Sequence, residues 1–321
     1  MSMYREKHEN GVKQLILGLL PPLLRRFFQR LAERLRVSLG RISYQRRKRV
    51  WNSRQSASPP LLHALDRELL IELWNDSILC EYIYLGGYEE RELSFVKRYL
   101  QEGDIFIDIG GNIGLYTLIA AKCVGMDGMV YAFEPVQSTF DRLVRNVRRN
   151  KLKNVDCRRC AISSSQGVLS INYAPAGRDA WNSLSLEVGT GESEQDTVQS
   201  VTLDSFWLSD LKGRRVKLIK VDVEGWEVHV LRGGESLLSS PNAPTLLIEF
   251  NDENLMTAGV TGAELFICLE KLGYSMLEFS DTVPTLLIPA VRREVYDYQN
   301  LVATKDSEMR QHFCHNTTIA T

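Results

Sequence analysis

From residue 104 to residue 304, short apolar runs alternate with segments in which apolar residues recur three and four positions apart. The runs end in glycine or in polar residues, which is typical of buried strands. Strands that alternate with helices of this kind are joined by parallel crossovers. We therefore predict an α/β fold with a doubly wound, mostly parallel sheet. The predicted strands are IFIDIG, MVYAFEP, VDCRRCAI, VKLIKVDVEG, TLLIEFN and YSMLEFS, and NLVATK fits a seventh.

The net charge of −1 conceals an uneven distribution of charged residues. Residues 1–54 contain 14 basic and 3 acidic side chains, a charge of +11, whereas residues 55–321 contain 25 basic and 37 acidic ones, a charge of −12. An acidic body is unsuited to the phosphate backbone, so we predict no nucleic-acid partner for it. The sequence thus consists of a basic arm attached to an acidic body.

The arm contains a basic amphipathic segment. Apolar residues recur at helical spacing from Leu24 to Leu35, and arginines occupy the other side. The preceding run LILGLLPPLL is too short to cross a hydrocarbon core of about 30 Å, and no cleavage site for export follows it. We therefore predict a cytoplasmic protein whose arm docks on a membrane surface or an acidic partner. The alternative is a helix that packs on its own acidic body or has no specific function.

Composition also indicates the domain boundaries. The stretch SRQSASPP, residues 53–60, is the one linker-like segment of the chain. We predict an arm and linker over 1–60, an α/β domain over 61–305 and a C-terminal tail over 306–321. The domain includes a helical lead-in over 61–100, because LDRELLIELW and RELSFVKRYL both have helical spacing.

Two strand ends have the pattern of an adenosine-binding site, since ligands of such sheets bind at the carboxyl ends of strands. The first strand runs into DIGGNIG, residues 108–114, whose glycines allow a tight turn and a close approach of backbone N–H groups to a ligand. Glu134 ends the second strand 20 residues after Gly114, where a carboxylate would bind both hydroxyls of a ribose. NAD and S-adenosylmethionine both carry such a ribose, so these features do not choose between them.

Carboxylates collect at the ends of the fourth and fifth predicted strands. The residues are Asp222, Glu224, Glu227, Glu249 and the neighbouring amide Asn251. Like charges in proximity raise one another's pKa, which suits a proton acceptor. None of the five histidines ends a predicted strand, whereas a nicotinamide enzyme more often has a histidine or a tyrosine–lysine relay there. The pattern favours methyl transfer.

The sequence predicts no metal site. The one CxxC pair, Cys157 and Cys160, lacks further ligands at the spacing of a zinc site. Asp222, Glu249 and Asn251 are a conceivable set of oxygen ligands for a divalent ion. We assign the proton transfer to a carboxylate instead.

Seven segments between Gly87 and Thr304 together resemble the FkbM-type methyltransferases, a branch of the class I enzymes that depend on S-adenosylmethionine. The segments are GYEERE, FIDIGGNIGLYT, YAFEP, NSLS, VTLDSF, IKVDVEGWEVHVLRGG and LLIEFN, in the order and at the spacing of the family. The resemblance implies a seven-stranded sheet whose last strand is antiparallel, S-adenosylmethionine as the cofactor, and O-methylation of a sugar or polyketide-like product. One difference is Gly111, where the family usually has alanine.

The resemblance also assigns roles to residues of this sequence. The cofactor-binding residues that it implies are Asp108, Gly110, Asn112 and Gly114 on the loop, Glu134 on the ribose, Asp156 and Ala161 near the adenine, and Asp222. Asp222 and Glu224 fall on the DxEG motif that faces the methyl group. With Glu249 from the next strand, they are the predicted catalytic residues.

We therefore predict an S-adenosylmethionine-dependent O-methyltransferase that acts on a hydroxyl of a small molecule or glycan. One alternative is a nicotinamide-dependent oxidoreductase on a similar sheet. Another is a catalytically silent protein that binds the cofactor or a partner and acts as an adaptor through its basic arm. The cofactor that binds separates the first alternative from the prediction, and an absence of turnover separates the second.

Overall fold

The computed structural model describes residues 42–54, 58–172, 183–185 and 196–314. The chain divides into two compact units, Met1–Gln55 and Ser56–Thr321. In the first unit residues 42–52 form helix α1, and the amphipathic helix predicted from Leu24 to Leu35 lies outside the described residues. No helix in the described part of the chain has both the length and the apolar character needed to span a bilayer.

The second unit is built on a central sheet of eight strands. The strands of this unit are β1 (Leu61–Ala64), β2 (Leu70–Leu73), β3 (Ile105–Ile109), β4 (Met129–Phe133), β5 (Val155–Arg158), β6 (Ala161–Ile162), β7 (Gly167–Asn172), β8 (Ser183–Ser185), β9 (Asp196–Val201), β10 (Leu218–Val221), β11 (Thr245–Phe250), β12 (Ser275–Phe279), β13 (Leu287–Pro289) and β14 (Gln299–Thr304). The central sheet has the order β13-β12-β14-β11-β10-β3-β4-β5. Strands β5, β4, β3, β10 and β11 are parallel, and β14 lies antiparallel between β11 and β12.

This sheet confirms the predicted doubly wound, mostly parallel architecture with an antiparallel last strand. Two parts differ from the prediction. Strand β13 adds an eighth strand beside β12. The segment VDCRRCAI is divided between β5 and β6, and β6 belongs to a separate sheet of order β6-β9-β7-β8. It divides because β4 ends at Phe133, in register with Arg158, so the chain has no neighbour in the central sheet beyond that point.

Helices cover the sheet between the strands. The helices of the second unit are α2 (Ile78–Leu85), α3 (Glu90–Tyr99), α4 (Leu115–Val124), α5 (Gln137–Arg149), α6 (Leu203–Ser209), α7 (Glu227–Gly233), α8 (Glu235–Ser239), α9 (Asp252–Leu255), α10 (Gly262–Lys271) and α11 (Ser307–Cys314). Helix α7 ends at Gly233, and α8 begins at Glu235 after the cap residue Gly234. A Cβ at Gly233 would lie 2.0 Å from the carbonyl oxygen of Ser163, so glycine here permits close packing.

The lead-in is helical only in part. The segment LDRELLIELW, predicted as a helix, contains β2, which pairs antiparallel with β1. Glu72 of β2 is 1% exposed and forms ion pairs with Arg145 and Arg149 of α5. Its N–H also donates to Oδ1 of Asn146 on the same helix, at 2.7 Å. In the interior of a helix, the N–H of Glu72 would donate to a carbonyl of the same helix and could not reach Asn146. These contacts therefore stabilise the β1–β2 hairpin.

The centre of the sheet is buried on both faces. Every residue of β3, β10 and β11 is buried, as expected for parallel strands between two layers of helices. The carboxyl ends of β3, β4, β10 and β11 meet at one edge of the sheet. This edge holds the DIGGNIG turn, Glu134, Asp222 and Glu249.

Candidate active site

A cavity of about 890 Å³ opens at the carboxyl ends of β3, β4 and β10. That volume includes space that is open to solvent. The predicted site residues that line it are Asp108, Gly110, Asn112, Glu134, Ala161, Asp222 and Glu224. Gly114, Asp156 and Glu249 are not part of its lining. Most of the predicted residues therefore share one cavity.

The turn after β3 brings the backbones of two strand ends into contact. Gly110 has a φ of +85°, and a Cβ there would lie 1.8 Å from the carbonyl oxygen of Asp222. Gly114 has a φ of +97°, and its Cβ would lie 2.8 Å from Leu143. Only glycine fits both positions without strain. Gly111 has room for a Cβ, since its nearest neighbours would be 3.5 Å away, so the difference from the family's alanine is sterically mild.

Glu134 is held firmly at the end of β4. Its Oε2 accepts from the N–H of Asn112 at 3.0 Å, and its Oε1 accepts from the N–H of Val136 at 2.9 Å. The residue is 5% exposed and lines the cavity. The carboxylate thus links the turn after β3 to the end of β4 at the position predicted for a ribose ligand.

The two residues predicted near an adenine lie in different surroundings. Ala161, at the start of β6, is buried and lines the cavity. Asp156, within β5, accepts a hydrogen bond from the guanidinium of Arg158 at 2.9 Å. Arg158 also forms an ion pair with Asp210 at 2.6 Å. Of the two, Ala161 alone is among the cavity-lining residues.

Asp222, Glu224 and Glu249 form one carboxylate cluster. One oxygen of each lies within 4.8 Å of the others. Alternation of side chains along a strand does not bring them together, because β10 ends at Val221 and Glu224 has a left-handed φ of 52°. The turn brings the carboxylate of Glu224 next to Asn254, whose Nδ2 donates to it.

Two neighbouring polar side chains, those of Glu227 and Asn251, bind backbone N–H groups and are not members of the cluster. Glu227 accepts through Oε1 from the N–H groups of Val223 at 3.1 Å and Gly225 at 3.3 Å. Asn251 accepts through its side chain from the N–H of Glu253 at 3.1 Å and so caps α9. Asn251 therefore serves as a cap in this structure, and Glu224 takes the third position of the cluster.

Burial and mutual repulsion make these carboxylates more basic. Burial, and then the charge of Asp222, raise the pKa of Glu224 and of Glu249 well above the ordinary value. Burial raises the pKa of Glu227 to about 7. A raised pKa makes a carboxylate a stronger proton acceptor, and of these three residues Glu224 lines the cavity.

Lys220 was not among the predicted site residues, although it lines the cavity. Its Nζ lies 2.6 Å from Oδ2 of Asp222 and 4.7 Å from the ring centroid of Tyr116. Burial alone would lower the pKa of Lys220, but the carboxylates of Asp222, Glu89 and Asp108 raise it above the ordinary value. The sequence does contain a signal for Lys220, since it lies inside the apolar run VKLIKV. A lysine in a buried strand is seldom without a charged partner, so one could have been expected nearby.

Glu89 is the acceptor at the centre of a second set of hydrogen-bonded polar side chains, beside the cavity. The carboxylate is buried and accepts from the hydroxyl of Tyr116 at 2.7 Å and from Nδ2 of Asn300 at 2.7 Å. The hydroxyl of Tyr298 also donates to it. The adjacent Tyr88 lines the cavity. Through Glu89, the GYEERE segment thus connects the lead-in to β14 and α4.

Comparison with known proteins identifies the central part of the chain. Residues 108–276, which include Asp108, Glu134, Asp222 and Glu249, match the family model described as the methyltransferase FkbM domain. The hexuronic acid methyltransferase AglP of Haloferax volcanii is 32% identical over 154 residues, which cover 48% of this chain and 59% of that protein. The 31-O-demethyl-FK506 methyltransferase FkbM of Streptomyces tacrolimicus is 31% identical over 163 residues, which cover 42% of this chain and 61% of that protein.

Among solved structures, the methyltransferase FkbM from Methylobacillus flagellatus aligns with a TM-score of 0.40 and 14% identity. The alignment covers 69% of this chain and 52% of that chain. The matches to the two curated relatives above likewise span about three fifths of those proteins' length.

Proposed function

Because the chain belongs to the FkbM methyltransferase family, we propose that it transfers a methyl group from S-adenosylmethionine to a hydroxyl oxygen of a sugar or another small molecule. The observation that carries the proposal is that one cavity combines the glycine turn and Glu134 with Asp222 and Glu224. The first pair suits an adenosine, and the second suits the reacting end of the cofactor. The sugar class of acceptor is supported by the similarity to the hexuronic acid methyltransferase.

The residues present fit this cofactor. Glu134 can accept from both hydroxyls of a ribose while its backbone contacts orient it. Ala161 leaves space for a flat ring on the cavity wall. Carboxylates outnumber Lys220 around the other end, which favours the positive charges of a sulfonium and an ammonium group. When bound, the cofactor supplies a methyl group that is already activated by the sulfonium.

The protein's own residues position the acceptor and take up its proton. Aligning a hydroxyl oxygen with a methyl carbon can contribute roughly 7–11 kcal/mol to catalysis. A hydroxyl has a pKa far above 7, so its proton must leave as the new bond forms. We assign that proton to the Asp222–Glu224 pair, and chiefly to Glu224, since Asp222 is already paired with Lys220 at 2.6 Å. Glu249 lies beside the pair, and burial together with the charges of Asp222 and Glu224 raises its pKa.

The cofactor assignment makes a direct prediction for Glu134. Replacement with alanine should weaken S-adenosylmethionine binding by about 2–4 kcal/mol, because two hydrogen bonds to a charged acceptor are lost. Calorimetry of the full chain should show binding of S-adenosylmethionine and of its demethylated product, and no binding of NAD.

The control is Glu253→Ala, which removes an exposed carboxylate outside the cavity and should change the affinity by less than about 0.5 kcal/mol. Unchanged affinity in Glu134→Ala with an unchanged melting temperature would refute the ribose assignment. Binding of NAD would favour the oxidoreductase.

A further inference from the structure

The carboxylate cluster has more negative charge than its surroundings balance. Asp222, Glu224 and Glu249 place oxygens within 4.8 Å of one another, and Lys220 is the one cation among the residues that line the cavity. That ammonium group already pairs with Asp222. A buried carboxylate is ordinarily paired, hydrogen-bonded or bound to a metal ion.

Within the described residues, the carboxylate of Glu249 is neither paired with a positive charge nor hydrogen-bonded. It is 3% exposed, yet the structure gives its carboxylate no hydrogen bond and no ion pair there. The charges that act on it come from Asp222, Glu224, Glu227 and Lys220, of which the last alone is positive. Its side chain extends from β11 toward the two carboxylates that line the cavity.

Glu227 provides a separate observation of the same kind. It is 1% exposed, and its Oε2 has no hydrogen-bond partner. The residue is not a member of the cluster, but its charge acts on both Glu224 and Glu249. Next to the cluster, one buried carboxylate oxygen of Glu227 thus lacks a hydrogen-bond partner.

We propose that Asp222, Glu224 and Glu249 bind a hard divalent cation of the Mg²⁺, Mn²⁺ or Ca²⁺ class. Such ions take oxygen ligands at roughly 2.0–2.6 Å, so two ligands on opposite sides of one ion are about 4–5 Å apart. The cluster meets that limit with little movement. Its ligands come from strand β11, from Asp222 directly after β10, and from the tight turn that follows, which prearranges the site.

The site is open on the side of the cavity. Three carboxylates occupy part of a six- to eight-ligand shell, and the remaining positions face the space lined by Asp222 and Glu224. Positive charge at this point would lower the pKa of a hydroxyl placed beside it, and it would also lower the pKa of its ligand Glu224. With the cation bound, loss of the hydroxyl proton would therefore depend more on the acidity of the hydroxyl and less on the basicity of Glu224. The inference goes beyond the proposed function, and the binding of the cation does not require methyl transfer.

The test uses the full chain, stripped with a chelator, and Mn²⁺ as the probe without any cofactor. The electron paramagnetic resonance signal of free Mn²⁺ should fall on titration in a saturable way, with one ion bound per chain, and Mg²⁺ should compete. Glu249→Gln should weaken Mn²⁺ binding at least about tenfold, because a charged oxygen ligand is lost. Glu253→Gln, the same change at an exposed neighbour, should alter it less than about twofold.

Glu224→Gln provides a second variant if Glu249→Gln does not fold, and it should also weaken binding at least about tenfold. An absence of saturable binding to the wild-type chain would overturn the proposal. Equal binding in the wild type and in a folded cluster variant would do so as well. Neither result bears on the cofactor, so failure here is distinguishable from failure of the proposed function.

Discussion

Glu224→Gln should reduce the rate of methyl transfer at saturating substrates by about 10²-fold or more. Glutamine has the same shape, and its side-chain oxygen can accept from Asn254 as the carboxylate does. It cannot, however, take up a proton from a hydroxyl. The affinity for S-adenosylmethionine should change little. Single-turnover kinetics together with calorimetry separate the two quantities.

The matched control is Glu253→Gln, at an exposed position three residues after the end of β11. It should leave both the rate and the affinity near those of the wild type. A loss of cofactor affinity with an unchanged rate at saturation would contradict the catalytic assignment. Glu224 would then act only in shaping the turn at Gly225 and in holding the cofactor.

Gly110→Ala should destabilise the chain by about 2–5 kcal/mol and remove cofactor binding. A left-handed backbone costs alanine about 1–2 kcal/mol, and an overfilled contact costs about 1–3 kcal/mol more. The new Cβ would lie 1.8 Å from the carbonyl oxygen of Asp222, so the ends of β3 and β10 must separate. Urea denaturation measures the free energy of unfolding, and calorimetry measures the binding.

Gly103→Ala is the matched control, because Gly103 has a φ of +86° and nothing within 4 Å of an added Cβ. It should cost only the about 1–2 kcal/mol of backbone strain and leave cofactor binding intact. Equal losses in the two variants would mean that the contact between the strand ends does not matter. The difference between them isolates that contact from the strain.

The sequence predicted the central sheet well because each buried strand is a short apolar run that ends at a recognisable residue. Runs such as IFIDI and TLLIEF are buried along their whole length, so their hydrophobicity is continuous. Segments with one buried face were harder to interpret. The apolar residues around β2 fit both a helical and an alternating spacing, so the sequence pattern does not decide between helix and strand. The contacts of Glu72 with Arg145 and Arg149 stabilise the strand.

The positions of Asp108, Gly110, Asn112, Glu134 and the carboxylate cluster followed from the rule that parallel strands end at one edge. Partners distant in the chain could not be predicted in this way. Glu89 meets Asn300 across 211 positions of the chain. The membership of Glu224 in the cluster depends on a left-handed residue and a neighbouring glycine, Gly225 with a φ of +101°, and no hydrophobic pattern indicates that turn.

The most direct test of the account is a transfer measurement with S-adenosylmethionine that carries an isotopically labelled methyl group. The full chain is incubated with a panel of hydroxyl compounds that includes neutral sugars, hexuronic acids and polyketide-like alcohols, with Mg²⁺ present. We predict that mass spectrometry finds the label on an oxygen of one acceptor class, together with an equal amount of the demethylated cofactor. Label on nitrogen or carbon, or tight cofactor binding without transfer to any member of the panel, would contradict the account, and the latter result would favour the adaptor.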